Sequence, residues 1–99
     1  MTETNVNLPQ PWNVARLVRH VEAAFARHGL QVAVKDTLRT HPGCIHWHLK
    51  EGEAPGTLEF TLWPDRQRAW FKVQTGRTAA WVDRVLPALK AALEQPSLA

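Results

Sequence analysis

The stretch Thr57 to Gln74, TLEFTLWPDRQRAWFKVQ, constrains this chain more than any other. Leu58, Phe60 and Leu62 alternate with Thr57, Glu59, Thr61 and Trp63. After a polar break, Ala69, Phe71 and Val73 alternate with Arg68, Trp70, Lys72 and Gln74. Period-two alternation of β-formers around such a break signals a hairpin. With Asp65 and Arg66 at the tip, Leu62 faces Ala69, Phe60 faces Phe71 and Leu58 faces Val73 on one side. On the other side Thr61 meets Trp70 and Glu59 meets Lys72. A slip of one residue would put the apolar set in water, so the register is well specified. Pro64 has no N–H to donate and belongs at a strand end.

The remaining segments must cover this hairpin. Residues 1–10 are polar without periodicity and are expected to form a flexible arm, leaving residues 11–96 as one domain. Asn13 is a good N-cap, and Trp12 and Leu17 have the spacing of a hydrophobic staple around it. Val14, Leu17, Val18, Val21, Ala24 and Phe25 then make one helical stripe, which Gly29 ends. Leu30, Val32 and Val34 alternate as a half-buried strand. Asp36 falls on the inward parity, which points to a bulge or strand end there; a buried functional acid is the alternative. His41-Pro42-Gly43 has the order of a type II turn. Ile45, Trp47 and Leu49 then alternate with Cys44, His46, His48 and Lys50, which places Trp47 in the core beside Phe60. Past Gly76, with Thr78 as the expected cap, Trp81, Val82, Val85, Leu86, Leu89, Ala92 and Leu93 form a second stripe. Pro87 lies opposite that stripe.

The expected architecture is α+β, in the order α-β-β-β-β-α. A four-stranded antiparallel meander is covered on one face by both helices, as a two-layer sandwich. At 99 residues with 44% hydrophobic composition, the chain can build one core without staples. Its single cysteine excludes an internal disulfide and fits a reducing, cytoplasmic setting. No long apolar run or signal peptide is legible, so no membrane association is expected.

Three constellations on the outer sheet face could carry function. Cys44, His46 and His48 lie two residues apart along one strand, and alternating histidines with a thiolate can hold zinc. Lys35, Arg39, Lys50, Arg68 and Lys72 surround Trp63 and Trp70, a basic-aromatic pattern suited to single-stranded nucleic acid. Against that, RNP motifs are missing and Glu59 sits in the middle of the face. The third is protein association, with Trp63 and Trp70 as anchors and Arg68 and Lys72 beside them, most simply as a homodimer. No nucleophile elbow, Walker or Rossmann pattern appears, so neither catalysis nor a cofactor is expected. Read as sequence, the chain is a small non-enzymatic binding or assembly module acting through its outer face, with nucleic-acid binding as the alternative.

Overall fold

The structure, a computed structural model, describes residues 2–96; Met1 of the expected arm and Ser97 of the tail lie outside them. The hairpin forms as read. Strand β4 (Leu58–Trp63) and strand β5 (Arg68–Val73) are joined by a short 3-10 turn at Pro64–Arg66. Their register pairs Leu62 with Ala69, Phe60 with Phe71, Thr61 with Trp70 and Glu59 with Lys72. Gln67 closes the turn in the left-handed conformation.

Strand β3 (Ile45–Lys50) lies beside β4 and strand β2 (Gln31–Asp36) beside β3, all antiparallel. The sheet has five strands rather than four. Thr2–Asn5 forms strand β1 on the free edge of β5, giving the order β1-β5-β4-β3-β2. The segment expected as a flexible arm therefore supplies an edge strand. Its anchor lies just beyond the strand, where Val6 and Leu8 are buried and the Val6 N–H donates to the Ala69 carbonyl. An isolated edge strand with both faces polar has no apolar alternation to announce it.

Helix α1 (Val14–Arg27) then carries the chain from the β1 edge of the sheet to β2. The Asn13 side chain caps it by accepting from the Arg16 N–H. Helix α2 (Ala80–Glu94) runs through Pro87 as one helix, with Ala79 rather than Thr78 at its N-cap position. Both helices pack on the face bearing Trp47, Leu49, Phe60 and Phe71. Phe25 from α1 meets Trp47 and Phe60 edge-on at 5.8 and 5.7 Å, a geometry that favours aromatic pairs.

A bulge between Val32 and Val34 resolves the parity problem in β2. One extra residue reverses the faces downstream. Lys35 then pairs with Trp47 on the helix side, where its ammonium donates to Glu22, which also accepts from the Trp47 indole N–H. Val34 turns outward and is exposed, and Asp36 pairs with His46 on the outer face.

Candidate metal centre

Along β3, His46 and His48 project to the outer face because Trp47, between them, is committed to the core. The β3–β4 register sets Thr61 opposite His46 and Glu59 opposite His48. Cross-strand neighbours on one face have Cβ atoms roughly 4.5–5.5 Å apart, so long side chains meet. Here they converge on one point. His46 Nε2 lies 3.1 Å from His48 Nε2 and 3.2 Å from Glu59 Oε1, and His48 Nε2 lies 3.8 Å from the same oxygen. His46 and Glu59 are almost completely buried, at 3% and 6% exposure, while His48 reaches solvent along one side.

The histidine tautomers decide which of these atoms carries a free lone pair. Two imidazole nitrogens and a carboxylate oxygen aim at one another, and each neutral imidazole carries one proton for two ring nitrogens. Thr61 Oγ1, fully buried, stands 2.8 Å from His46 Nδ1. If that nitrogen holds the proton and donates to Thr61, His46 Nε2 presents a bare lone pair beside the Glu59 carboxylate. Burial holds the His46 imidazole below its ordinary pKa range, and the His48 charge adds to this. The Glu59 and Asp36 carboxylates pull the other way without overcoming burial. A neutral, buried histidine with its far nitrogen fixed is the form that binds a metal.

The spacing fits a cation. Zinc bonds of about 2.0–2.2 Å to histidine nitrogen and carboxylate oxygen put tetrahedral ligand atoms about 3.3 Å apart. The three observed separations bracket that value. Together His46, His48 and Glu59 are a two-histidine, one-carboxylate set that leaves at least one coordination position open.

The expected third ligand, Cys44, stands apart from this group. It precedes β3 and is buried, and its sulfur accepts from the Leu38 N–H at 3.3 Å. Glu59 is the third group that clusters with the two histidines. Sequence reasoning paired Glu59 with Lys72, which is correct as a register, but among the described residues no ion pair joins the two. The signal for the triad was nonetheless available. Setting Trp47 beside Phe60 in the core forces His48 opposite Glu59 one residue away on the outer side.

The tryptophans also differ from expectation. Trp70 has outward parity but is only 5% exposed, because the loop between β2 and β3 folds over it. His41 from that loop packs on Trp63 and Trp70 with ring centroids 4.6 and 5.2 Å away, and the Trp63 indole N–H donates to the Pro42 carbonyl. The Arg68 guanidinium covers Trp70 at 4.9 Å. Of the basic residues placed on the outer face, Lys35 is turned to the helix side by the bulge, and Lys50 donates to the Gly56 carbonyl. Between the loop and the sheet lies a cleft of about 240 Å³. His46, Glu59, Thr61, Trp70 and Lys72 form its floor, and His41 is part of its wall.

Comparison with known protein families, with curated proteins and with solved structures finds no match. Among the described residues, no helix is long and apolar enough to cross a membrane.

Proposed function

We propose that this protein binds a divalent transition metal, zinc by the chemistry of its ligands, through His46 Nε2, His48 Nε2 and the Glu59 carboxylate. The observation that carries the reading is the convergence of these three atoms, all within 3.8 Å of one another, on largely buried side chains. Three protein ligands with a remaining position resemble zinc sites that handle an exchangeable ligand rather than closed structural ones. Metal analysis after dialysis against zinc and then metal-free buffer tests it. The wild-type chain should retain one equivalent. His48→Ala and Glu59→Gln, each checked for folding by circular dichroism, should lose more affinity than the roughly 10–100-fold that removal of an outer-sphere partner costs. Variants that keep wild-type zinc contradict the proposal.

A second reading, association of two copies through the outer face, draws on the stacked group at its rim. Arg66 lies over Trp63 and Arg68 over Trp70, and both arginines are exposed. Arg and Trp are the residue types that dominate interface energetics. Since Trp70 is already covered within the chain, Arg68 and Trp63 are what a partner would meet. Solution mass tests this reading: a dimer that persists in high salt and dissociates on Trp63→Ala supports it, and a monomer at all concentrations contradicts it.

A further inference from the structure

We infer that the cleft beside the metal centre is a binding site for a small organic carboxylate, which takes the open coordination position and pairs with Lys72. The inference rests on the metal reading above and goes further by naming what the site holds.

Three observations support it. The first is charge. Lys72 lies between Glu59 on β4 and Glu3 on β1, its cross-strand partners on either side. Among the described residues, the Lys72 ammonium nevertheless makes no hydrogen bond or ion pair. Glu59 is turned instead toward the histidines. A divalent ion on the triad and Lys72 would carry three positive charges, which Glu59, Glu3 and Asp36, opposite His46, balance, so what the cleft offers an anion is the ion's open position together with the unpaired Lys72 ammonium.

The second observation is position. His46 and Glu59, two of the three metal ligands, share the cleft floor with Lys72. Lys72 and Glu59 are directly opposed, so a carboxylate on the metal beside Glu59 comes within reach of the ammonium. One oxygen can bond the metal while the other accepts from Lys72, a charge-assisted hydrogen bond.

The third is size and lining. The cleft's volume of about 240 Å³ falls below the roughly 300–1,000 Å³ of sites for drug-sized ligands. Leu38 and the Trp70 ring give it apolar surface beside the polar floor. A short acyl chain fits that combination better than an inorganic oxyanion, which would leave the apolar wall uncovered.

The test uses the full chain loaded with cobalt(II), whose visible absorption reports its ligands. Propionate is titrated into the cobalt protein, with sodium chloride at matched ionic strength as the control. We expect a saturable change in the cobalt spectrum with propionate and none with chloride. In Lys72→Met the cobalt spectrum should still form, but propionate binding should weaken by about tenfold or more, the usual consequence of losing a hydrogen bond to a charged group. A cobalt spectrum that ignores propionate, responds equally to chloride, or responds equally in Lys72→Met overturns the carboxylate site and leaves the metal centre standing. Failure to form any protein-bound cobalt spectrum removes the metal centre and the carboxylate site with it.

Discussion

Thr61 shows how much of the site rests on a residue that would not touch the metal. Among the described residues, its hydroxyl is the only hydrogen-bond partner of His46 Nδ1, and both residues are buried. Thr61→Val keeps the shape and removes the hydroxyl. Zinc affinity should then fall by roughly 10–100-fold, the range seen when an outer partner of a ligating histidine is lost, and competition with a chromogenic chelator measures it. Glu22 plays a comparable part on the helix side. Partial burial raises its pKa, but hydrogen bonds from Lys35 and from the Trp47 indole, together with the Lys35 charge, outweigh this and hold the carboxyl below its usual range. A carboxyl lowered in the folded state contributes stability above its unfolded pKa, and that stability is lost as pH falls through the folded value. Glu22→Gln should therefore lower the urea midpoint at neutral pH, and the gap from wild type should close as pH falls through the lowered folded-state value. A gap that is constant with pH would mean the Glu22 charge is not coupled to folding.

At the scale of elements, β3 separates what the sequence could show from what it could not. Alternation alone assigned Trp47 inward and His46 and His48 outward, and the structure agrees. Trp47→Ala should cost about 3–5 kcal/mol, as for other buried large aromatics, measured by equilibrium denaturation. A loss below about 1 kcal/mol would invert the assignment of the two faces. Cys44 lies one residue before the strand, in the turn that starts at His41, where it is buried and its sulfur accepts from the Leu38 N–H of the β2–β3 loop instead of joining the two histidines. Trp70 was assigned the right face, but its exposure depends on the β2–β3 loop, whose path no periodicity encodes. Strand β1 was missed because an edge strand pairs on one side only, and TETN buries no apolar side chain of its own. Its worth lies in covering the β5 edge. Removing residues 1–5 should lower the unfolding midpoint and leave that edge open to pairing with a second copy, visible as concentration-dependent mass in solution.

Across the whole molecule, one sheet serves two purposes. Its inner face carries Trp47, Phe60 and Phe71 into a continuous apolar core with both helices. Because that packing locks the strand register, the alternate residues of the same strands are held equally firmly. That is how His46, His48 and Glu59 keep three potential donor atoms together without a dedicated loop. Zinc bound to the folded chain alone should raise its stability by about 2.7 kcal/mol at a hundred times the dissociation constant, an increment lost on acidification as protons compete for the histidines. The central claim concerns which atoms do the binding, and X-ray absorption at the zinc edge reads those atoms directly. The account predicts a first shell of nitrogen and oxygen at about 2.0–2.2 Å with the outer scattering of two imidazoles. A sulfur shell at about 2.3 Å would bring Cys44 back as a ligand, and a spectrum without imidazole scattering would remove His46 and His48; either contradicts it.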